Sequence, residues 1–207
     1  MRAEAAEAIC FLYGGKEPYQ PAYELREVTK CYAGQTVLDR VTLSLPAAGV
    51  CVISGRSGIG KTTLLMILAG LLKPDSGIRS GFDGKRISVL FQEDRLLPWL
   101  TVYENVAAAL DRPSEKEIMR LLSMVSLEEA ADKYPHMLSG GMKRRAAIAR
   151  ALLFGGDIYL FDEPFKGLDD TLKSGMIDRI RKECAGKLLV VISHDAEEAE
   201  QLTKECR

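Results

Sequence analysis

The chain has 207 residues, enough for one domain of ordinary size with a small insertion and too few for two full domains. Hydrophobic residues make up 47% and charged residues 28%, so the chain can bury a core and is neither collagen-like nor disordered. Lys and Arg number 28 against 29 Asp and Glu, and the formal net charge of -1 argues against a protein built to coat nucleic acid or an anionic membrane.

The cysteines and the N-terminal residues predict the cellular compartment of the protein. Five cysteines are odd in number and contain no C-x-x-C pair, which favours a reduced, cytosolic compartment over a disulfide framework or a zinc site. The most apolar run, residues 64–72, is less than half of the ~20 residues that a membrane span requires. Residues 1–22 lack a secretory pattern, and we interpret them as an N-terminal extension of unknown role.

Apolar runs bounded by turn residues predict the strands of a single domain over residues 23–207. In chain order the strands cover residues 41–45, 50–53, 87–91, 158–161 and 188–192. The first run alternates apolar with polar residues, which is typical of an antiparallel flank. The other four are almost continuously apolar, as in strands buried on both faces of a parallel sheet. With helical patterns between them, these strands predict an α/β fold with a mostly parallel sheet and an antiparallel β flank.

A phosphate-binding loop follows the strand at residues 50–53. The pattern G-x-x-x-x-G-K-[ST] is formed by Gly55, Arg56, Ser57, Gly58, Ile59, Gly60, Lys61 and Thr62, and Thr63 begins a helical run. The glycines allow backbone N–H groups to point at phosphate oxygens, and the helix adds its positive end. Lys61 supplies a cation for the β and γ phosphates, and the Thr62 hydroxyl supplies a ligand for Mg²⁺. The sequence therefore predicts a P-loop NTPase core.

A helical subdomain is predicted to interrupt this core at about residues 95–153, leaving residues 23–94 and 154–207 as the core itself. Ser114 and Glu117 have the spacing of a capping box ahead of an amphipathic helix, and Ser126 and Glu129 repeat that spacing. A later helix carries four basic residues, which we interpret as a solvated, partly ion-paired face and not as a nucleic-acid patch. They are Lys143, Arg144, Arg145 and Arg150.

Two further strands deliver polar side chains near the predicted phosphates. The strand at residues 158–161 leads into Asp162 and Glu163, and a buried strand does not end in paired carboxylates without a partner for them. Beside a phosphate loop, Asp162 is the natural Mg²⁺ ligand and Glu163 the natural base for an attacking water. His194 follows the strand at 188–192, where the ends of parallel strands open onto the ligand crevice, and is placed to sense a terminal phosphate.

Between the phosphate loop and the acidic strand stands the run Leu138-Ser139-Gly140-Gly141-Met142. With this run, the sequence resembles the ATP-binding subunits of ABC transporters over roughly residues 23–202. The order of the motifs agrees with that family from the phosphate loop to His194. Three residues depart from the common pattern. Met142 stands where many members have Gln, and Lys166-Gly167 replaces a frequent Ser-Ala pair.

The resemblance implies roles for residues that the sequence pattern alone leaves unassigned. Tyr32 would stack on adenine, and Gln92 would serve both Mg²⁺ and the attacking water. In the family two copies pack head to tail, so each ATP would lie against Ser139, Gly140 and Gly141 of the partner chain. Asp169 would reach the same partner site from the D-loop. The expected cofactors are therefore ATP and Mg²⁺, and a homodimer is the expected assembly.

The resemblance also implies an integral-membrane permease as partner, reached from the cytoplasmic side of the membrane. Residues 91–106 are similar to the same stretch in importers of nitrate, sulfonates, taurine and pyrimidine precursors, which implies import of a small anionic or heterocyclic nutrient with a substrate-binding protein. The segment from Gln92 to Trp99 would contact the permease. An exporter ATPase, a non-transport ABC ATPase acting on DNA and a small-molecule P-loop kinase are the alternatives. The kinase has no use for the Ser139 segment or Asp169, and the DNA-acting class carries long coiled coils or basic surfaces.

Overall fold

The computed structural model describes residues 20–204 and the backbone strand at residues 10–14. Its main sheet has five strands in the order β1, β4, β8, β7, β6. They are β1 (Cys10–Gly14), β4 (Gly49–Ser54), β8 (Leu188–Ile192), β7 (Ile158–Asp162) and β6 (Ile87–Leu90). The last four are parallel, and β1 pairs antiparallel with β4 at the edge. The sequence did not indicate β1, and the other parts of the proposed extension, residues 1–9 and 15–19, lie outside the described residues.

The parallel strands are apolar on both faces because each face packs on a different cluster. Val52, Phe161 and Val191 face a cluster formed with the later helices. Ile53 and Ile192 face the opposite way, onto a cluster formed with the first helix and a second sheet. This two-sided burial explains the nearly continuous apolar runs, and it confirms the predicted parallel sheet.

The predicted antiparallel flank is a three-stranded sheet in the order β3, β2, β5. Its strands are β2 (Tyr23–Tyr32), β3 (Gln35–Leu45) and β5 (Ser76–Ser80), and β2 pairs antiparallel with both neighbours. Helix α1 (Lys61–Leu68) follows the phosphate loop, and its apolar residues join side chains of β2 and β3 in the second cluster. The flank therefore supports the helix that begins at the predicted phosphate site.

The helical insertion is present between β6 and β7. It contains α2 (Val102–Ala107), α3 (Glu115–Met124), two short 3₁₀ helices at Glu128–Ala130 and Pro135–Met137, and α4 (Gly140–Phe154). Two helices of the core follow, α5 (Asp170–Glu183) and α6 (Ala196–Thr203). Among the described residues, none of the helices has the length and apolar character needed to cross a bilayer.

The capping predictions for this insertion were wrong in detail. Ser114 is the N-cap residue of α3, but its side chain accepts no capping hydrogen bond. Ser126 adopts a left-handed backbone (φ 55°), and the helix after it is only a 3₁₀ turn. The capping box that does form joins Thr101 to Glu104 at the start of α2, with both reciprocal bonds present. Residue spacing alone did not distinguish these three cases, because the bond depends on the backbone conformation at the cap.

Candidate functional site: two adjacent cavities

The phosphate loop curls tightly between β4 and α1. Gly60 is the N-cap residue of α1 and has a φ of 101°, a conformation that favours glycine. A β-carbon at this position would lie 2.9 Å from a methyl group of Val37, so the flank also excludes a side chain here. The Lys61 ammonium is buried and donates hydrogen bonds to the carbonyls of Gly55 (2.7 Å) and Arg56 (2.8 Å). The Lys61 side chain therefore folds back over the loop and bonds to the loop backbone.

Thr62 and Asp162 meet across 100 residues of sequence because β7 lies two strands from β4 in the parallel sheet. The Thr62 hydroxyl donates to Asp162 Oδ2 at 2.7 Å, and the Asp162 side chain is buried. Burial raises the pKa of Asp162, although the Thr62 hydrogen bond and the charges of Arg144 and Lys61 oppose the shift. A buried carboxylate beside a hydroxyl gives the pair of hard oxygen ligands that a divalent cation takes.

Glu163 adopts a left-handed backbone conformation (φ 47°), which is strained for a residue with a side chain. Its carboxylate contacts the side chains of His194 (Nδ1 to Oε1, 3.2 Å), Gln92 (Nε2 to Oε2, 3.4 Å) and Lys166 (Nζ to Oε2, 3.3 Å). Burial alone would raise the pKa of Glu163, but the hydrogen bonds and charges of Lys166 and His194 outweigh it and hold that pKa below its usual value. Glu163 is therefore an ionised carboxylate at the end of β7.

These residues surround a first cavity of about 320 Å³. Its lining is formed by Val37, Ser57, Gly58, Gly60, Lys61, Thr62, Thr63, Gln92, Asp162 and Glu163. The predicted ATP residues Gly55, Arg56 and Ile59 belong to the same loop but do not line the cavity. Tyr32 lies at the end of β2 with 46% of its surface exposed, outside this lining. The structure thus joins the phosphate loop, the acidic pair and Gln92 at one place.

A second cavity of about 530 Å³ adjoins the first, and Gln92 lines both. Its other lining residues are Asp94, Ser139, Gly140, Gly141, Arg144, Arg145, Lys166, Gly167, Leu168, Asp169 and Leu172. Ser139 caps α4 by accepting a hydrogen bond from the Met142 N–H, and Asp169 caps α5 by accepting one from the Leu172 N–H. Two helix N-termini therefore begin at this cavity, and both place their positive ends toward it.

Arg144 is the important residue that the sequence interpretation assigned wrongly. It is buried, and its guanidinium donates to the backbone carbonyls of Phe91 (2.6 Å), Glu163 (2.9 Å), Pro164 (3.2 Å) and Asp162. It thereby joins α4 to the ends of β6 and β7. Basic spacing on a helix suggested a solvated face, and only the tertiary packing shows that this arginine points inward. Arg145 and Arg150 also bond backbone carbonyls, those of residues 125–126 and 94–95.

Comparison with known proteins agrees with this arrangement of motifs. The family model described as ABC transporter matches residues 38–166, more than half of the chain. The chain belongs to the ABC transporter family. It is an ATPase of that family, and the fold and the order of its motifs confirm the resemblance seen in the sequence.

Several curated relatives are ATP-binding proteins of importers. The aliphatic sulfonates import protein SsuB 1 of Paracoccus denitrificans is 40% identical over 86% of this chain and 75% of its own length. The taurine import protein TauB of Rhizobium johnstonii is 40% identical over 80% of this chain and 70% of its length. The nitrate import protein NrtC of Synechococcus elongatus is 38% identical over 78% of this chain but only 27% of its own length. Among other relatives, an SsuB 1 of Burkholderia cenocepacia is matched over 58% of its length.

Solved structures give the same fold. A dimeric ATP-binding cassette in a post-hydrolysis state, bound to ADP and Pi, superposes with a TM-score of 0.76 at 31% identity, covering 86% of this chain and 90% of that one. A second dimeric structure, described as a bacterial ABC transporter cassette, gives a TM-score of 0.76 at 32% identity with the same coverage.

Proposed function

We propose that the chain hydrolyses ATP between two copies of itself and uses the cycle to drive a permease. The observation that carries the proposal is the adjacency of the two cavities. The first holds a phosphate loop with its own cation, acidic pair and Gln92, whereas the second offers glycines and helix N-termini on the same side of the molecule. The dimeric state of the related cassettes supports the pairing of one copy's first cavity with the other copy's second cavity.

Hydrolysis in the first cavity requires a base, a charge stabiliser and an aligned water. On ATP binding, the Lys61 ammonium would exchange the carbonyls of Gly55 and Arg56 for β and γ phosphate oxygens. Glu163 would take the proton of a water as its oxygen attacks the γ phosphorus and the bond to the ADP oxygen breaks. Gln92 and His194 already contact the Glu163 carboxylate, so they are placed to orient that water and to contact the γ phosphate.

The donor set at Thr62 and Asp162 fits Mg²⁺. Their oxygen atoms lie 2.7 Å apart at the wall of the first cavity, which Gln92 also lines. Among the described residues, no group of three or more His, Cys, Asp or Glu side chains forms a metal site, so an ion here would complete its shell with phosphate oxygens and water. When bound, the ion would neutralise charge that develops on the β and γ phosphates.

Glu163→Gln tests the proposed chemistry. The amide keeps the shape of the side chain but removes the base, so ATP binding should persist while hydrolysis falls by at least about a hundredfold. The trapped ATP should also hold two chains together, and the variant should elute as a dimer in size-exclusion chromatography with ATP and Mg²⁺. Hydrolysis at the wild-type rate would contradict the assignment of Glu163.

A groove that shares Asp94 with the second cavity is the proposed docking surface for the permease. It has a volume of about 510 Å³ and runs along β6, between α4 and the residues that follow α2. Its rim carries Leu71, which is 58% exposed, and Phe154, and its wall includes residues 93–95 of the segment that follows Gln92. Trp99, in the same segment, is 68% exposed, so it is free to contact a partner. An apolar groove between helices suits an amphipathic helix or loop.

A pair of matched substitutions tests this docking surface. Leu71→Glu places a charge on the rim of the groove, and Ile78→Glu places the same charge on β5, where an isoleucine is 60% exposed outside the groove. Leu71→Glu should weaken co-purification with the permease while ATP affinity stays unchanged, and Ile78→Glu should alter neither. Equal effects of both variants, or loss of ATP binding by Leu71→Glu, would place the permease elsewhere.

The proposed cargo is a small anion taken up into the cell. The named relatives import aliphatic sulfonates, taurine and nitrate, which share an oxyanion group. In this proposal the chain works at the cytoplasmic face of the membrane, held there by the permease, and a substrate-binding protein delivers the anion. Proteoliposomes that contain the chain and its permease should accumulate a labelled sulfonate or nitrate only with ATP, and Glu163→Gln should abolish uptake. Export of the anion would reverse the assigned direction.

A further inference from the structure

Lys166 lies at the boundary between the two cavities. It lines the second cavity, while its ammonium is 3.3 Å from Oε2 of Glu163, which lines the first. The common family pattern has a small residue here, and a small side chain would not reach the carboxylate. This lysine is therefore a feature of the present chain that the proposed mechanism has not used.

The local backbone brings the lysine back over Glu163. The Lys166 N–H donates to the Glu163 carbonyl at 3.2 Å, which closes a turn directly after the left-handed Glu163. The next residue, Gly167, packs against the start of α4, since a β-carbon on Gly141 would lie 3.1 Å from the Gly167 carbonyl oxygen. The turn thus places the Lys166 side chain between the Glu163 carboxylate and the segment that begins α4.

We propose that Lys166 is a positioning residue that restrains the Glu163 carboxylate in the resting chain and releases it when an anion enters the second cavity. This inference rests on the proposed role of Glu163 as the base. It adds a link between the two cavities: the event that fills the second one also frees the base in the first.

The contacts of Glu163 explain why the lysine restrains the base. His194 contacts Oε1, whereas Lys166 and Gln92 both donate to Oε2 and so take up the two lone pairs of that oxygen. A base must instead direct a free lone pair at the attacking water. His194 and Gln92 are the groups proposed to align that water, whereas Lys166 draws the carboxylate toward the second cavity. Of the donors to Glu163, Lys166 is therefore the one whose departure favours proton transfer.

The second cavity provides a reason for the lysine to leave. Its lining carries the cations Arg144, Arg145 and Lys166 against the carboxylates Asp94 and Asp169, and α4 begins there. An anion is therefore favoured at this helix start, and the Lys166 ammonium would gain phosphate oxygens as partners. The Lys166 side chain is 59% exposed, and water screens its attraction to Glu163. The restraint is therefore weak enough to be broken, and its removal should change the hydrolysis rate by a small factor.

Three lysine variants test the restraint through the ATPase rate of the full chain. The anion and Glu163 compete for the ammonium, so part of the ATP-bound chains keep the ion pair; Lys166→Met removes it from all of them and should raise kcat about two- to fivefold, with KM for ATP unchanged within about twofold. Lys166→Arg keeps a cation at the same place and should retain the wild-type kcat. Lys182→Met removes an exposed charge at the end of α5 and should also behave as wild type. An unchanged or lower kcat for Lys166→Met, an arginine variant that matches it, or an effect on KM alone would overturn the inference.

Glu163→Gln in the same assay separates this inference from the proposed function. Wild-type hydrolysis by Glu163→Gln would overturn the assigned base and the Lys166 inference together. An inactive Glu163→Gln beside an unaccelerated Lys166→Met would overturn the Lys166 inference alone. The double variant Lys166→Met/Glu163→Gln should be as inactive as Glu163→Gln, because the acceleration acts through that carboxylate; any acceleration in the double variant would show that Lys166 acts elsewhere.

Discussion

The two cavities differ in how far a single chain completes them. In the first cavity, the main polar groups already have hydrogen-bond partners within the chain. Lys61 donates to two loop carbonyls, and the Thr62 hydroxyl donates to Asp162. The second cavity is lined by two helix N-termini, and Ser139 and Asp169 serve there as helix caps. The first cavity is therefore a preformed phosphate site within one chain, whereas the second becomes a binding site only when a partner brings an anion to it.

Lys61→Ala should have the largest effect, because it removes the main cation of the self-contained cavity. Each charge-assisted hydrogen bond lost to the phosphates contributes roughly 1.5–3 kcal/mol, so ATP affinity should fall by at least about a hundredfold. Calorimetric titration of the monomer measures this change. Lys73→Ala removes an exposed lysine outside both cavities and is the control. Unchanged affinity in Lys61→Ala would break the assignment of the phosphate loop.

Ser139→Arg should leave that affinity almost intact and act only on the second cavity. A bulky cation at the start of α4 fills the space where the partner's phosphates are proposed to lie. Starting from the Glu163→Gln chain, the added substitution should abolish the ATP-dependent dimer seen in size-exclusion chromatography. Monomer affinity for ATP should stay within about threefold of the parent, since the substitution lies outside the first cavity. A persisting dimer would show that the second cavity is not part of the interface.

Arg144→Met tests the side chain that lines the second cavity and bonds the backbone of Asp162 and Glu163, which line the first. The change leaves several buried carbonyls at the ends of β6 and β7 without a donor and removes the partner of Asp94. The free energy of unfolding should fall by about 3 kcal/mol. Denaturant titration checks the value, with Lys143→Met on the same helix expected within about 0.5 kcal/mol of wild type. Equal stability of both variants would mean that the buried arginine does not hold the cavities together.

Thr101→Ala should have the smallest effect, because α2 lies outside both cavities. The substitution breaks the capping box and should cost about 1 kcal/mol of stability without changing ATP affinity. Ser114→Ala is the matched control, since the Ser114 side chain makes no capping bond and its loss should cost less. A larger loss from Ser114→Ala would mean that the observed caps do not determine helix stability.

The same contrast explains how much the sequence could predict. Glycine spacing, Lys61 and the acidic end of β7 are local features with a direct chemical meaning, so the elements of the first cavity and the parallel sheet could be located in advance. Three features could not be located in this way. The burial of Arg144 and the pairing of β1 with β4 depend on segments far apart in sequence, and the ion pair of Lys166 depends on the path of a turn. From its charged side chain alone, Arg144 was predicted to be exposed to solvent. The packed fold shows that it is buried.

Mixing two defective chains tests the shared site most directly. Lys61→Ala keeps an intact second cavity, and Ser139→Arg keeps an intact first cavity, so each should be inactive alone. In a head-to-tail pair, one of the two sites would then combine an intact first cavity with an intact second cavity. The account predicts that the mixture regains ATP hydrolysis that neither chain shows separately. A mixture as inactive as its components, or full activity of Ser139→Arg alone, would contradict the claim that ATP is hydrolysed between two chains.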